Sequence, residues 1–188
     1  MSSRETYIEV VETVSAWPSW THTAIELVSE VGLILLGLTV VITALARRTS
    51  GSMATGAAGL AAVTLAYAAS ALLKLAETQP RPCRTITGLE QIATCPPAGD
   101  WSLPSNHAVL AAALAVAVGF LAPRLAVPAS LLAVLIAAAR VALGVHYPHD
   151  VVTGLTLGAG VAFVLVYALR APAARLLATV TAAAASRA

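Results

Sequence analysis

A short stretch between two strongly apolar segments combines the residue types needed for a histidine nucleophile and an anionic substrate. It runs from Arg140 to Asp150 and also contains His146, in a chain that uses few charges. An aspartate four residues after a histidine can bind one ring nitrogen and leave the other free to attack. The planar guanidinium of Arg140 suits a phosphate or a carboxylate. The alternative is a helix-end loop with a capping aspartate and a solvated histidine.

Two further clusters carry groups that could bind an anion. Lys74 precedes Arg81, and prolines on both sides of Arg81 stiffen its backbone. Ser105 is a good N-cap for the apolar segment that follows, whose first amides favour an anion, and His107 lies in its first turn. The alternatives are interfacial anchoring by Lys74 and Arg81, and an ordinary capped helix with a structural histidine.

The composition predicts where these clusters lie. Of 188 residues, 59% are hydrophobic and 11% are charged, whereas a soluble domain has about 25% charged residues. The sequence therefore predicts an integral membrane protein with the bilayer as its surroundings, and the length favours one domain. The formal net charge of +2 gives no reason to expect a nucleic-acid partner. The oligomeric state stays open.

The apolar segments predict an all-α, polytopic bundle of about five transmembrane helices. Residues 1–20 mix apolar and acidic side chains, which indicates an N-terminal interfacial helix, and their acidic start argues against a secretory signal. The helical core is predicted over 23–169, and 170–188 are predicted to form a cytoplasmic tail. The predicted spans, each about long enough to cross a bilayer, are 23–46, 53–76, 106–122, 127–145 and 151–169.

The charge distribution predicts the orientation of this bundle. With five spans, all three clusters lie on the same side as the N-terminus. The opposite side lacks acidic residues and carries Arg47, Arg48, Arg124, Arg170, Arg175 and Arg187. Because cytoplasmic loops are enriched in Lys and Arg, we expect a multi-pass protein of the cell membrane whose clusters face the extracytoplasmic side.

Cys83 and Cys95 lie in the predicted outer loop, roughly residues 77–104. Two cysteines close in sequence and in an oxidising compartment favour a disulfide, with free thiols as the alternative. A bridge of this length could contribute about 3 kcal/mol and hold the loop near the membrane surface.

Other polar residues lie near the clusters in sequence. We interpret His149 as a loop histidine and Arg84 as an additional cation for an anionic ligand. Glu26 and Glu30, in the outer part of the first span, are predicted to pair with Lys74 or an arginine and to favour the helix N-terminus. Gly154 and Gly158 form a small-x-x-x-small pair, which predicts close approach of a neighbouring helix.

Together the three clusters resemble the motifs of the type 2 phosphatidic acid phosphatase family. The first motif, K-x-x-x-x-x-x-R-P, matches residues 74–82 at Lys74, Arg81 and Pro82. The second, P-S-x-H, matches residues 104–107 at Pro104, Ser105 and His107. The third, S-R-x-x-x-x-x-H-x-x-x-D, matches Arg140, His146 and Asp150, the chemically active residues of 140–150. Ala139 stands where the family usually has Ser, and Asn106 stands where Gly is commonest.

The resemblance implies a lipid phosphate phosphatase that needs neither a cofactor nor a metal. In the implied mechanism His146 attacks phosphorus and becomes a phosphohistidine, while Asp150 orients its ring. His107 protonates the leaving oxygen and later activates water. The implied phosphate-binding residues are Lys74, Arg81, Ser105, Asn106 and Arg140.

The implied substrate is a lipid phosphate whose headgroup reaches the outer membrane surface. We expect a polyprenyl diphosphate or a related polyprenyl-linked phosphate of cell-envelope carrier metabolism. The alternatives are a phosphatidylglycerophosphate or phosphatidic acid phosphatase, a phosphotransferase that uses the same residues, and a non-catalytic protein that binds or transports lipid phosphates.

Overall fold

The computed structural model describes residues 2–185, and all regular secondary structure in this part of the chain is helical. The helices are α1 (Ser3–Ser15), α2 (Ser19–Arg47), α3 (Ser50–Ala76), the single turn α4 (Pro82–Thr85), α5 (Asn106–Leu121), α6 (Ala126–Ala142) and α7 (Pro148–Ala185). A 3-10 turn at Pro123–Leu125 leads into α6. The predicted all-α membrane bundle is confirmed.

Within residues 2–185, four helices are long and apolar enough to cross a membrane: α2, α3, α6 with its preceding 3-10 turn, and α7. The remaining apolar helix, α5, has 16 residues. At 1.5 Å per residue it is about 24 Å long, which is less than the ~30 Å hydrocarbon core. The predicted count of five spans therefore stays a prediction.

Helix α5 lies at the centre of the bundle, in contact with α2, α3, α6 and α7. Its buried side chains lie on all sides of the helix, as expected for an apolar helix enclosed by others. The outer helices instead expose large apolar side chains, such as Ile34, Ile42, Leu72 and Leu75. This arrangement suits lipid around the bundle and leaves the first turn of α5 facing the ends of its neighbours.

Two glycines bring α7 into backbone contact with α5. A Cβ atom on Gly158 would lie 2.1 Å from the carbonyl oxygen of Val109, and one on Gly154 would lie 2.7 Å from that of Ser105. The close approach predicted for this pair is therefore present. It lets the backbone amide of Ser105 donate to the carbonyl of Asp150 over 3.1 Å, which joins the second motif to the third.

Helix α1 packs against α6 and α7 and contacts the loop between them, which carries His146. Its first turn is closed by a capping box between Ser2 and Glu5. Tyr7 is fully buried, and its hydroxyl donates to the carbonyl of Gly144 over 2.9 Å. Burial, followed by the nearby Tyr147, raises the pKa of Tyr7 to about 12, so the hydroxyl stays a donor. Helix α1 is shorter than the interfacial segment predicted over residues 1–20. Its Tyr7 supports the loop that carries His146.

Two predicted boundaries differ from the structure. The fourth predicted span ends at residue 145, but α6 ends at Ala142 because Gly144 adopts φ +81° and turns the chain towards His146. The fifth was predicted to end at 169, but α7 continues without a break to Ala185, with Arg170 and Arg175 on the same helix. Of the predicted tail, Arg187 lies outside the described residues.

Candidate active site

The three motif segments meet at one end of the bundle, although they are far apart in sequence. Lys74 lies in the last turn of α3, and His107 lies in the first turn of α5. Arg140 lies in the last turn of α6, and Asp150 lies in the first turn of α7. His146 belongs to the loop between α6 and α7. Each of these residues is therefore positioned by a helix end or by the loop that Gly144 begins.

His146 is held between Asp150 and Arg81. Its Nδ1 lies 3.4 Å from Asp150 Oδ2, and its Nε2 lies 3.0 Å from Arg81 Nη1. A guanidinium can only donate, so Nε2 must be the unprotonated nitrogen that accepts. The proton of the neutral ring is then on Nδ1 and faces the carboxylate. The ring is fixed in the tautomer that places its electron pair on Nε2, where it accepts from Arg81.

The environment also keeps His146 neutral. Burial lowers its pKa to about 4; the hydrogen bond to Asp150 opposes this shift, and the charge of Arg81 adds to it. A histidine with this pKa is unprotonated at neutral pH, which a nucleophilic ring nitrogen requires.

Asp150 is completely buried and fully hydrogen-bonded. Its Oδ2 accepts from the hydroxyl of Ser102 and, over 2.8 Å, from the backbone amide of Tyr147. Its Oδ1 accepts from Gln79 Nε2 over 3.1 Å. The carboxylate therefore both caps the first turn of α7 and fixes the ring of His146. The capping role and the histidine-orienting role predicted for Asp150 are compatible.

Lys74 and Arg81 are buried and share one carboxylate, that of Asp100. Lys74 Nζ lies 3.2 Å from Asp100 Oδ1, and Arg81 Nη2 lies 3.1 Å from Asp100 Oδ2. Burial raises the pKa of Asp100, but the charges of Arg81 and Lys74 outweigh burial and hold that pKa below its usual value. Asp100 therefore stays ionised between two cations.

Arg140 and His107 share a second carboxylate, that of Glu30 on α2. Glu30 Oε1 lies 3.0 Å from His107 Nε2 and 3.3 Å from Arg140 Nη1. Arg140 Nη1 also donates to Ser29 Oγ over 3.2 Å. The prediction that Glu30 pairs with Lys74 or an arginine is confirmed by its contact with Arg140, whereas Lys74 binds Asp100.

Within the described part of the chain, two buried side-chain atoms at this end of the bundle have no hydrogen-bond partner: Ser105 Oγ and Arg140 Nε. Ser105 occupies the N-cap position of α5 as predicted, but its side chain makes no capping bond. Asn106 Oδ1 accepts from Ser70 Oγ over 2.8 Å, so its side chain is turned towards α3. Buried donors without partners cost free energy, and a bound oxyanion would satisfy them.

A known protein family matches more than half of the chain. The PAP2 superfamily model matches residues 56–173. The chain belongs to the PAP2 superfamily. The predicted family and the predicted class of enzyme, a lipid phosphate phosphatase of the membrane, are thereby confirmed.

One solved PAP2 structure shares the fold. The crystal structure of a transmembrane PAP2-type phosphatidylglycerolphosphate phosphatase from Bacillus subtilis aligns with a TM-score of 0.64 and 22% identity, over 87% of this chain and 84% of that one. No curated protein sequence matches this chain significantly.

Several residues around the PAP2 motifs were not predicted from the sequence. Ser102 and Gln79 bind the carboxylate of Asp150, and Asp100 joins Lys74 to Arg81. His149 was predicted in a loop but lies in the first turn of α7, where its Nε2 is 3.1 Å from Asp150 Oδ1. The sequence contains one signal for these contacts. Residues 100–102 lie directly before the second motif, where the loop must return to the bundle.

The loop between α3 and α5 of this PAP2 protein contains a disulfide between Cys83 and Cys95, with a Cα–Cα distance of 5.9 Å. Arg84, expected to add charge to the anion site, instead donates to the carbonyl of Pro96 inside this loop and is exposed. The bridge begins two residues after Arg81 and ends five residues before Asp100. The disulfide therefore restrains the segment that carries Arg81 and Asp100, which form an ion pair.

Proposed function

We propose that this PAP2 protein dephosphorylates a membrane lipid phosphate without a metal, through a phosphohistidine on His146. The observation that carries the proposal is the buried contact chain from Asp150 through His146 to Arg81, with Nε2 unprotonated. It supplies an oriented nucleophile next to a phosphate-binding cation. A site that only binds phosphate needs cations but no oriented, neutral histidine.

In the first step, His146 Nε2 attacks phosphorus, and the bond from phosphorus to the leaving oxygen breaks. The proton for this oxygen comes from Nε2 of His107 in its imidazolium form, which leaves the ring neutral; in the resting site this Nε2 donates to the carboxylate of Glu30. Asp150 stabilises the positive charge that develops on the ring of His146. For a diphosphate the leaving group is the lipid monophosphate; for a monoester it is the lipid alcohol.

In the second step, His107 accepts a proton from a water molecule that attacks the phosphohistidine. The phosphorus–nitrogen bond breaks, and phosphate leaves with His146 neutral again. Lys74, Arg81 and Arg140 hold the equatorial oxygens, on which negative charge collects, and together they supply the positive charge that many phosphatases take from metal ions. Ser105 Oγ and the first amides of α5, including that of Asn106, complete the phosphate site.

An apolar groove beside Arg140 supports a lipid substrate. It has a volume of about 470 Å³, lies between α1, α2 and α6, and includes Ala139, Ala142 and Val28 in its lining. Ala139 lies one residue before Arg140 and Ala142 two residues after it, and Val28 precedes Ser29, which binds Arg140. A hydrocarbon tail in this groove would therefore lie next to the phosphate site.

We propose a polyprenyl diphosphate, or a related polyprenyl-linked phosphate, as the preferred substrate. The site lies at the end of the bundle opposite Arg47, Arg124 and Arg170, which the positive-inside rule assigns to the cytoplasm. Carrier lipids that have delivered cell-envelope precursors remain on the outer leaflet as diphosphates, and their charge suits Lys74, Arg81 and Arg140. The name of the Bacillus subtilis structure makes phosphatidylglycerophosphate the second candidate.

The test is phosphate release by the purified protein from decaprenyl or undecaprenyl diphosphate, phosphatidylglycerophosphate and phosphatidic acid, in one detergent. We expect the highest kcat/KM for the polyprenyl diphosphate. A clear preference for either glycerolipid contradicts this substrate and leaves the phosphatase mechanism intact. Transfer of the phosphoryl group to a second lipid, without free phosphate, would identify a phosphotransferase.

The proposed extracytoplasmic location can be tested through the disulfide. A membrane-impermeant thiol reagent should label Cys83 and Cys95 in intact cells only after reduction. Labelling that requires cell lysis would place the loop, and the site beside it, on the cytoplasmic side.

A further inference from the structure

Each proposed phosphate-binding cation is already paired with a carboxylate of the protein. Asp100 binds Lys74 and Arg81, with distances of 3.2 Å and 3.1 Å. Glu30 binds Arg140 at 3.3 Å. A phosphate could not bind these three side chains at full strength while both carboxylates remain in place. The resting site is therefore filled by two internal anions.

Electrostatics explains why such anions are present. The side chains of Lys74, Arg81 and Arg140 are only 9%, 5% and 12% exposed. Buried charges need a partner, and three neighbouring cations without one would also repel each other. Two carboxylates offset that cost until a substrate arrives.

The two carboxylates are more exposed to water than the cations that they bind, so the carboxylates are the partners that can leave. The side chains of Asp100 and Glu30 are 43% and 56% exposed, several times more than the cations that they bind. A carboxylate at the water-facing side of a site can turn into solvent, where it is well hydrated. The buried cations cannot follow, because Arg81 also donates to the carbonyls of Asp100 and Val145, and Arg140 to Ser29.

Glu30 occupies the position that a substrate oxygen would need. Its Oε1 accepts from Arg140, a proposed phosphate binder, and from His107, the proposed proton donor to the leaving group. In the proposed mechanism Arg140 binds an equatorial oxygen of the phosphate and His107 protonates the leaving oxygen, so Glu30 blocks both contacts in the resting site. The unpaired Ser105 Oγ and Arg140 Nε show that the internal anions satisfy the site only in part.

We propose that Glu30 and Asp100 are internal substitutes for the substrate phosphate, displaced into water when it binds. This inference rests on the proposed function and defines the class of substrate. A group that replaces two carboxylates must carry about two negative charges, so the site selects terminal phosphates over phosphodiesters, which carry only one. Glu30 and Asp100 then determine specificity without touching the bound lipid.

The experiment measures inhibition by vanadate in Glu30→Gln and Asp100→Asn. Each change removes a competing negative charge while keeping the size of the side chain. Vanadate Ki and substrate KM should fall about three- to tenfold in each variant, since partly exposed ion pairs contribute only modestly. In Glu30→Gln, kcat should change less than about threefold because Glu30 has left the site before the chemical step.

Matched controls separate this effect from a general change in charge. Glu12 is an exposed acid of α1, and Glu90 is an exposed acid of the same loop as Asp100. Glu12→Gln and Glu90→Gln should leave Ki unchanged. Equal decreases in the controls, or an unchanged Ki in both test variants, would refute the displacement. A loss of kcat in Glu30→Gln at unchanged Ki would instead make Glu30 a positioning residue for His107.

Loss of a carboxylate could also unfold the variant, because it leaves buried cations without a partner. The proposal then predicts that vanadate or inorganic phosphate, added during purification, restores the fold, since the oxyanion takes the place of the missing carboxylate. Failure of these anions to restore it would contradict the proposal. A wild-type protein that neither binds vanadate nor releases phosphate would refute the proposed function itself, whereas an active wild type with unaltered variants refutes only this inference.

Discussion

Two of the histidine–carboxylate pairs at the site, His146–Asp150 and His107–Glu30, differ in their surroundings. In the first, the side chains of His146 and Asp150 are 2% and 0% exposed. In the second, those of His107 and Glu30 are 24% and 56% exposed. The first pair is formed within one helix start and its preceding loop. The second joins residues that are 77 positions apart, on α5 and α2.

This difference suits the two pairs to different tasks. The buried pair fixes one tautomer and keeps His146 neutral, which a nucleophile requires. The exposed pair lies where protons can exchange with water, and its carboxylate can leave. We therefore assign the covalent step to His146 with Asp150 and the proton transfers to His107, and each variant below tests one side of this comparison.

The largest effect is expected for His146→Ala. Removal of the attacking nitrogen leaves the cations and His107 but no route to the covalent intermediate, so kcat should fall at least about 10⁴-fold. Vanadate should still protect the variant against thermal unfolding. Turnover near the wild-type level would mean that His146 is not the nucleophile.

The same chemical change in the two carboxylates should have unequal results. Asp150→Asn places an amide beside His146 Nδ1 and no longer selects the reactive tautomer, so kcat should fall about 10²- to 10⁴-fold. Glu30→Gln should change kcat by less than about threefold. Similar losses of kcat in both variants would remove the distinction between a fixed and a displaceable carboxylate.

His107→Ala should lower kcat by an amount that depends on the leaving group. General acid catalysis increases the rate about 10²- to 10⁴-fold, and a basic leaving oxygen depends on it most. We expect a large loss with an alkyl phosphate and a much smaller loss in the first step with p-nitrophenyl phosphate. Equal losses for both substrates would show that His107 does not protonate the leaving group.

Acid should destabilise the protein through His146. Its pKa falls from 6.5 when unfolded to about 4 in the folded protein, so the unfolded state binds the proton first. The associated stability is fully present above about pH 6.5 and is lost as the pH falls towards 4, with a total of about 3 kcal/mol. Chemical unfolding of wild type and His146→Gln from pH 7 to 4 would show it: the variant should lose less stability, and parallel curves would contradict the shift.

The sequence predicted the parts of the site that repeat the family motifs. His146 and Asp150 are four residues apart at a helix start, so their pairing follows from local geometry alone. The end of the bundle at which Lys74, His107 and Arg140 meet followed from the order of the apolar segments. The bundle itself was predictable because membrane spans require long apolar runs.

The partners supplied by distant or irregular segments were not predictable. Which acid reaches Lys74 depends on how residues 96–104 fold, and this loop has no periodic pattern to indicate that Asp100 turns inward. The contact of Glu30 with His107 depends on the rotation of α2 against α5. The burial of Tyr7 depends on Gly144, whose turn ends α6 earlier than the apolar pattern suggests.

The most direct test of the central claim is to trap the covalent intermediate. Rapid acid-free denaturation during turnover, followed by peptide mass spectrometry, should find a phosphoryl group on His146 in the wild type. The same modification should accumulate in His107→Ala with p-nitrophenyl phosphate, because the second step then lacks its base. We expect no modification in His146→Ala; a phosphoryl group on another residue, or its absence from wild type and His107→Ala during active turnover, would show that His146 is not the nucleophile.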